Sequence, residues 1–439
     1  MIWIHLIVVL AAMLIGARLS GVAMGLAGGC GLAILTFVFG LRPTAPPVDV
    51  LFIIAALSML AGTLQAAGGL DYLVAQAEKL IRRNPNHITL IAPFVCLTFT
   101  LFTGTAYVAM SLFPVIAEVA YGAGVRVERP LATSVIASKC GCTGSPVSAA
   151  TAAMIGLLAV QGVTLGHVLS VAIPAVIVGI FVSCLVMYRH GKELSEDEEF
   201  QKRLAAGEIA AYSGGMTRTE TFGRSAKLSV LIFGFVVASI IVLGSVKSLM
   251  PAWQAGGKVI HLSIPYAIQL AAMTGAFIIV LACKVKPRTI VNSSVFGAGM
   301  TGFMSILGIA WMADTFFHAH QAVLTAAISG IAQAHPWLFA LVLFFSSSML
   351  FSQGATVRAI MPLGLALGIP ASYLVAMFPA CNGTFFFPAT GVVVGAIGFD
   401  RSGTTRIGNF VLNHSFMLPG VVGVASAVAA GFAFTFLFY

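Results

Sequence analysis

A polar turn between two short apolar runs constrains the fold of this chain most strongly. Residues 352–354, Ser-Gln-Gly, separate an apolar run at 336–351 from another at 359–367. Each run is shorter than the roughly 20 residues that a membrane-spanning helix needs. The pattern predicts a helical hairpin that enters a membrane, turns inside it and leaves on the same side. Irregular backbone persists at that depth only where protein or water covers it, so the turn is a candidate binding site.

A second stretch has the same design. Residues 104–114 read GTAYVAMSLFP and also combine small polar residues with a later proline. Each stretch is followed by a polar interruption of an apolar run, at 139–146 (KCGCTGSP) and 381–388 (CNGTFFFP). When the final prolines are aligned, Gly141 falls on Gly383. Interruptions at matching places in two halves indicate the discontinuous helices of a transporter.

The composition is that of a polytopic membrane protein. Hydrophobic residues make up 59% of the chain and charged residues 8%, with a mean hydropathy of +1.02. Soluble domains carry about 25% charged residues. The net charge of +9 is what basic cytoplasmic loops produce, so it predicts no nucleic-acid partner. The amino-terminal apolar run lacks a basic leader and a cleavage site, and we interpret it as the first span.

The sequence contains no motif of an enzyme. The HExxH, Walker A, GxSxG and dinucleotide-binding patterns are all absent. The seven cysteines lie in or beside apolar runs, which disfavours a disulfide framework, and Cys140 and Cys142 have no second pair for a zinc site. His318 and His320 point in different directions on a helix. We therefore expect no catalytic residue, no metal site and no cofactor, although co-transported sodium or protons remain open.

The order of elements predicts an all-α fold built as an inverted repeat. The first half is 1–188, the linker is 189–226 and the second half is 227–439. Each half has four spans, a re-entrant hairpin and an interrupted helix, so five crossings, an odd number, turn the second half upside down. The predicted spans are 2–17, 21–40, 48–67, 166–188, 228–249, 264–283, 293–313 and 414–438. The hairpins are 87–120 and 336–369, and the interrupted helices are 131–163 and 371–399.

Two amphipathic arms and the linker complete this organisation. Leu70, Leu73, Ala77 and Leu80 share one helical face of residues 70–83, which predicts a helix lying in the membrane interface. A weaker arm precedes Pro336. The linker mixes both signs of charge and is expected to be partly helical and solvated.

The distribution of basic residues predicts the orientation. With the amino terminus outside, 18 of the 23 Lys and Arg residues lie in cytoplasmic segments, three lie outside, and Lys139 and Arg358 lie within spans. Cytoplasmic loops carry such an excess. We therefore expect both termini in the periplasm, the linker in the cytoplasm, and hairpins entering from opposite sides.

The two tips and the two interruptions supply the candidate anion-binding residues. Helix N-termini carry free N–H groups and a partial positive charge, and therefore hold anions. Close helix packing is the alternative role of such small residues. The candidates are Thr103, Gly104, Thr105, Thr143, Ser145, Pro146, Ser352, Gln353, Gly354, Thr356, Asn382, Gly383, Thr384, Pro388 and Thr390.

Two cations within the predicted spans extend this set. Lys139 and Arg358 each lie within one or two turns of a tip or an interruption. A cation inside a membrane is costly, and a carboxylate substrate would be its natural partner. The alternatives are snorkelling to the interface or pairing with Glu118 or Asp314. Those two carboxylates near span ends are also candidates for coupling protons or ions.

A set of specific strings runs along nearly the whole chain. They are GAR (16–18), PPVDV (46–50), GGLDYLVAQAEKLIRRNP (68–85), FPVIAEVA (113–120), RPLATS (129–134), SPVSAA (145–150), DEEFQKRL (197–204), GIAWMADTF (308–316), HPWL (335–338), SQGAT (352–356), FDRSGTTRIG (399–408) and NHSFMLPG (413–420). In these strings the chain resembles the anaerobic C4-dicarboxylate transporters of the Dcu type nearly end to end. The AHPWLFALVLFF segment and Arg358 are most similar to the aspartate/fumarate branch of that family.

The resemblance implies exchange of fumarate, malate or aspartate for succinate across a bacterial inner membrane. It implies kinship with ion transporters that carry Ser-Asn-Thr-like hairpin tips, here at 103–105 and 352–354, and that work as homodimers by an elevator movement. The chain departs from the sequence pattern of this family at the candidate binding site. Residues 387–391 read FPATG instead of Leu-Pro-Thr-Tyr-Pro, Lys139 replaces a neutral residue, and the CGCT run at 140–143 is unusual.

Two other functions stay open. A cation/proton antiporter usually needs a carboxylate in an interruption, and neither interruption has one. A dicarboxylate co-sensor would bind the same acids and dock a sensor-kinase partner, for which the loop around Asp400, Thr404 and Thr405 is a candidate surface.

Overall fold

The computed structural model describes residues 1–19, 22–46, 48–207, 209, 222–255, 258–320, 323, 335–388, 390–408 and 412–438. Within these residues, seven helices are long and apolar enough to cross a membrane. They are Pro85–Thr103, Glu128–Gln161, Leu165–Met187, Arg224–Ser245, Pro265–Cys283, Ser294–His320 and Met417–Phe438. The chain therefore has the helices of a multi-pass membrane protein.

The first three predicted spans are also helical. Helix Ile2–Leu19 is followed by Ala23–Ala33, which continues as a π-helix over Ile34–Val38. The apolar stretches Ile2–Met13 and Ala23–Val38 are shorter than an ordinary span. The third helix, Val48–Ala66, is bent by 71° from the arm that follows it.

The amphipathic arm is the helix Gly69–Arg83. Leu70 and Ala77 are buried as expected, but Leu80 is 48% exposed and Ile81 is fully buried in its place. The buried stripe is thus rotated by one residue near the end of the helix. The second arm lies mostly on 321–322 and 324–334, outside the described residues.

Two pairs of consecutive helices, each joined by a short turn, lie where the hairpins are predicted, and their re-entrant course stays a prediction. The first joins Ile88–Thr103 to a helix that runs from Ala106 to Gly122 with a 3-10 turn at Met110–Leu112. The second joins Phe339–Leu350, after a 3-10 turn at Pro336–Leu338, to Gln353–Ala366. We call the connecting residues 103–105 and 351–353 the first tip and the second tip.

Two broken helices follow the hairpins. The first consists of Glu128–Gly144 and Ala149–Leu158, with a 3-10 turn at Ala159–Gln161. The second consists of Ala371–Met377, a 3-10 segment at Phe378–Phe385 and the helix Gly391–Phe399. Glu128–Gly144 crosses the 3-10 segment Phe378–Phe385, since Thr143 contacts Asn382 and Lys139 contacts Thr384.

The helices pack as two groups. In one, Gly25 lies against Gly308 so closely that a Cβ on Gly308 would lie 1.7 Å from the Gly25 carbonyl oxygen. In the other, Leu165–Met187 packs along Met417–Phe438, where a Cβ on Gly179 would lie 2.3 Å from the Gly423 carbonyl oxygen. Such close approach is typical of small residues at membrane helix interfaces. The hairpins and the broken helices pack with the helices of the second group, and one hydrophobic core extends across both groups.

The all-α expectation is wrong in one detail. Ala252–Ala255 and Lys258–His261 form an antiparallel pair of strands. Trp253, Val259 and Ile260 are the types of residue that favour strands. This pair lies between the helices Arg224–Ser245 and Ile264–Cys283.

The linker is packed on the membrane helices instead of being fully solvated. Its helix Glu198–Ala205 is capped by Asp197, and Phe200 is only 5% exposed. Its acidic residues pair with arginines of both halves, through Arg126–Asp197 at 2.6 Å and Arg406–Glu199 at 3.1 Å. The charged residues of the linker therefore hold the linker against the membrane helices. Residues 208 and 210–221 lie outside the described residues.

Candidate functional site

Both tips share one backbone geometry. A left-handed residue ends the incoming helix, Gly104 with φ of 74° and Phe351 with φ of 51°. The next residue is extended and its hydroxyl caps the outgoing helix: Thr105 accepts from the Tyr107 amide, and Ser352 accepts from the Ala355 amide at 3.2 Å. Glycine adopts this conformation freely, whereas it strains a bulky residue such as phenylalanine. Strain of this kind is concentrated at functional sites.

The breaks show a related arrangement. Ser148 caps the helix Ala149–Leu158 and accepts from the Thr151 amide at 3.1 Å. Thr390 occupies the same position before Gly391–Phe399. Its buried hydroxyl has no hydrogen-bond partner among the described residues. Buried hydroxyl groups usually have a hydrogen-bond partner, so this hydroxyl is available to bond to a ligand in the cavity.

The four helix N-termini meet at one cavity of about 240 Å³. The capping residues Thr105, Ser148, Ser352 and Thr390 all line it. Each of these helices presents unpaired amide N–H groups and roughly half a positive charge at its N-terminus. The volume is below the ~300–1,000 Å³ of sites for drug-sized ligands, so the cavity suits a small anion.

Lys139 brings a full positive charge to the cavity wall. The residue is 4% exposed, and its Nζ donates to Thr384 Oγ1 at 3.1 Å. No salt bridge joins Lys139 to a carboxylate within the described residues. The predicted alternative partners are engaged elsewhere, Glu118 with Arg82 at 3.2 Å and Asp314 with His318 at 3.5 Å.

A hydrogen-bond network behind the wall connects the broken helices to the second tip. Gln353 Nε2 donates to Asn382 Oδ1 at 3.3 Å and to the Lys139 carbonyl at 3.4 Å. Asn382 Nδ2 in turn donates to Thr143 Oγ1 at 3.0 Å. These contacts fix the second tip relative to the helix crossing.

The cavity contains part of the predicted set. The predicted residues that line it are Thr103, Gly104, Thr105, Lys139, Ser352, Gln353, Gly354 and Thr390. Their role in binding stays a prediction.

The remaining predicted residues lie behind the lining. Thr143, Asn382 and Thr384 belong to the network, and Ser145 Oγ donates to the Leu101 carbonyl at 2.7 Å. Thr356 Oγ1 donates to the Ser352 carbonyl at 2.8 Å. Gly383 allows close packing, because a Cβ there would lie 2.3 Å from the Phe344 carbonyl oxygen. Pro146 and Pro388 are buried, and Arg358 is half-buried outside the cavity lining.

Sequence reasoning missed several lining residues. Ser58, Tyr107, Cys142, Ser148 and Thr301 all line the cavity. Only Ser148 had a usable signal, since the proline alignment places it opposite Thr390. Ser58 lies in the ordinary helix Val48–Ala66, and its hydroxyl donates to the Ile54 carbonyl at 2.6 Å. Nothing in the sequence distinguishes it from a packing serine.

Asp400 lies inside its loop. It is 7% exposed and accepts from the amides of Ser402 and Thr405, at 2.8 and 2.6 Å, and from the Thr404 hydroxyl at 3.1 Å. Its carboxylate thus holds the loop together. A partner on this face would contact exposed side chains such as Arg401.

The chain is similar to transporters along its whole length. The family model described as "Anaerobic c4-dicarboxylate membrane transporter" matches residues 1–439. The "Anaerobic C4-dicarboxylate transporter DcuB" of Escherichia coli O6:H1 (strain CFT073) is 41% identical, over 99% of this chain and 98% of the relative. The "C4-dicarboxylate transporter DcuA" of Escherichia coli K12 is 40% identical, and that of Wolinella succinogenes 38% identical, each over 98% of both chains. The DcuB and DcuA relatives are almost equally identical to this chain, so its similarity to the aspartate/fumarate branch stays a prediction.

The fold has a relative among solved structures. The YdaH transporter of Alcanivorax borkumensis superposes with a TM-score of 0.57 at 18% identity, over 93% of this chain and 88% of that one. Similarity at this level concerns the fold alone. The family match and the full-length relatives show that the chain is a transporter, not an enzyme, and belongs to the anaerobic C4-dicarboxylate membrane transporter family.

Proposed function

We propose that this chain exchanges C4-dicarboxylates, namely fumarate, malate or aspartate against succinate, across the bacterial inner membrane. The observation that carries the proposal is the convergence of four helix N-termini, each with a Ser or Thr at its N-cap position, and Lys139 on one small cavity. A dianion inside a membrane needs compensation of its charge, which helix N-termini and an ammonium group supply. The named relatives, which are C4-dicarboxylate transporters, support the same substrate class.

The two carboxylates of the substrate would be held by opposite parts of the cavity wall. One carboxylate would rest against Lys139 and the second tip, where Ser352 and Gln353 present amides. The other would rest against the first tip and Thr390, whose unpartnered hydroxyl would donate to it. Gly104 allows the first tip to lie against the first break, because a Cβ there would lie 2.6 Å from the Val147 carbonyl oxygen.

We further propose that the two halves form an inverted repeat with re-entrant hairpins. The same order of arm, hairpin and broken helix in both halves supports this, as do the matched tips and the matched caps Ser148 and Thr390. The orientation would place both termini in the periplasm and the docked linker in the cytoplasm, as the basic residues predict.

The mechanism would be an elevator movement within a homodimer. The group that holds both hairpins and both broken helices would carry the substrate. The other group, including Ser58 and Gly299, would form the fixed wall of the cavity. In support of this division, the cavity lies between the groups and is lined by both. A movement of one group past the other would expose it to alternate sides.

The cation/proton antiporter is less well supported. Among the described residues that line the cavity there is no aspartate or glutamate. The predicted coupling carboxylates Glu118 and Asp314 are paired outside it. The co-sensor alternative would use the same dicarboxylate site and stays compatible with transport.

Uptake into proteoliposomes tests the proposal. The purified chain would be reconstituted in vesicles preloaded with succinate, and uptake of labelled fumarate, malate and aspartate would be followed. We expect uptake that depends on internal succinate and that external unlabelled fumarate abolishes, whereas acetate does not compete. Uptake of none of the three acids, with binding also absent, would contradict the proposal.

A further inference from the structure

Tyr107 connects the first tip to the second broken helix. It follows the tip residue Thr105, whose hydroxyl accepts from the Tyr107 amide, and its side chain lines the cavity. A Cβ built on Gly391 would lie 3.6 Å from Cε1 and 3.7 Å from Oη of Tyr107. The phenol ring therefore reaches from the first tip to the start of the helix Gly391–Phe399.

The hydroxyl group of Tyr107 is available to a ligand. Tyr107 is 47% exposed, and among the described residues its Oη makes no hydrogen bond. Thr390, which directly precedes Gly391, also has a hydroxyl without a partner among these residues. Both groups can donate a hydrogen bond. Two donors that the protein itself does not use thus lie beside the same helix N-terminus.

This part of the wall is distinct from the position of Lys139. The ammonium of Lys139 lies against Thr384, in the segment Phe378–Phe385 that precedes the second break, whereas Gly391 follows the break. Lys139 is the only cation among the described residues that line the cavity. Neutral donors such as hydroxyl groups bond about twice as strongly to a carboxylate as to an ester or an amide. They can therefore distinguish a charged group from a neutral one.

We propose that Tyr107 makes the site selective for a second carboxylate. Its Oη and the Thr390 hydroxyl donate to the substrate carboxylate that does not contact Lys139. A monoanion places its one carboxylate beside the ammonium, where the attraction is strongest, and presents only a neutral group to the phenol. Tyr107 is then a specificity-determining residue that disfavours monocarboxylates.

The inference rests on the proposed function, and titration of the full-length chain in detergent separates the two. The Kd of fumarate and of monomethyl fumarate is measured for the unaltered chain and for Tyr107→Phe, which keeps the ring and removes only the hydroxyl. We expect the Kd of fumarate to rise at least about tenfold and that of the monoester to rise less. A smaller rise for fumarate, or an equal rise for both ligands, would overturn the inference.

The unaltered chain decides whether the proposed function itself holds. If it binds neither fumarate nor malate nor succinate, the proposed function fails, and the inference fails with it. If it binds these acids and Tyr107→Phe binds them equally well, only the inference fails.

A control variant and a second measurement complete the test. Tyr266→Phe should bind both ligands with the parent Kd, because Tyr266 is 53% exposed on the helix Ile264–Cys283, outside the cavity lining. Tyr107 is the only tyrosine among the described residues that line the cavity. Saturating fumarate should therefore change the ultraviolet absorbance of tyrosine in the unaltered chain, whereas monomethyl fumarate should not. No change with fumarate would contradict the contact with Tyr107 Oη, even if Tyr107→Phe does not fold.

Discussion

The Nζ of Lys139 lies 3.1 Å from Oγ1 of Thr384, which is 245 residues further along the chain. This contact joins the two broken helices at their crossing and places a buried ammonium on the wall of the cavity. A charge in that place is costly unless an anion or helix ends compensate it. The position of Lys139 therefore links the fold to the proposed carriage of a dianion.

Lys139 and Arg358 should differ in their effect on affinity. Lys139 lines the cavity, whereas Arg358 is half-buried outside its lining. We expect Lys139→Gln to raise the fumarate Kd at least about tenfold, because it removes a buried charge from the ligand. Arg358→Gln should raise the Kd less. Isothermal titration with both detergent-purified variants measures this, and an equal or larger effect at Arg358 would contradict the geometry.

Thr390 and Ser148 are equivalent in position but not in bonding. The Thr390 hydroxyl has no partner among the described residues, while Ser148 Oγ accepts from the Thr151 amide. Thr390→Val should keep the Tm and weaken fumarate binding by about 1.5–3 kcal/mol, the value of a hydrogen bond to a charged group. Ser148→Ala should instead lower stability by about 1 kcal/mol through loss of the cap. Thermal unfolding with and without fumarate distinguishes the two.

If Thr390→Val binds fumarate normally, its hydroxyl does not face the ligand. If it lowers the Tm as much as Ser148→Ala does, the hydroxyl has a structural role instead.

Gly104 should tolerate no side chain. Its φ is 74°, and a Cβ would lie 2.6 Å from the Val147 carbonyl oxygen. We expect Gly104→Ala to destabilise the protein by about 1–3 kcal/mol and to impair exchange, since the first tip would move off the first break. Gly124 is the control, because its φ is 72° and no atom lies within 4 Å of the place that a Cβ would occupy. Gly124→Ala should cost about 1 kcal/mol and leave exchange unchanged, and equal loss of exchange in both would contradict a special role for the tip.

The docking of the linker should depend on pH. Burial alone would raise the pKa of the Asp197 carboxyl, but hydrogen bonds from the Phe200 amide and the Arg126 guanidinium hold that pKa below its usual range. A depressed pKa stabilises the docked state above the ordinary aspartate pKa of about 3.9, and this contribution is lost as the pH falls through the lowered value. Limited proteolysis of the linker should therefore accelerate below about pH 4.

Asp197→Asn should produce the same acceleration at pH 7. Glu196→Gln is its control, because Glu196 is exposed. Equal rates of cleavage in the two variants would show that the Arg126–Asp197 pair does not hold the linker.

The sequence predicted the helical elements better than their contacts. The apolar run lengths and their polar interruptions predicted where helices are joined by the tips and where helices are broken, because these features are local. The re-entrant course of the hairpins stays a prediction. The strand pair at 252–261 and the docked linker were missed. From the sequence alone, the charged residues of the linker were expected to be solvated. Their partners Arg126 and Arg406 lie in distant parts of the chain, so the pairs were not predictable from local sequence.

The site was predictable only where an unusual residue signalled it. Lys139 and the glycine and hydroxyl residues of the tips stand out in apolar surroundings. Ser58 and Thr301 do not, because a single hydroxyl in a helix usually bonds to its own backbone, as Ser58 does with Ile54. The tertiary fold decides which helix of the other packing group faces the tips. No local sequence pattern indicates that helix.

A density map of the chain with fumarate bound tests the central claim most directly. We expect ligand density between the four helix N-termini at Thr105, Ser148, Ser352 and Thr390, with one carboxylate within hydrogen-bond distance of Lys139 Nζ. Fumarate bound elsewhere, with this cavity holding only water, would contradict it.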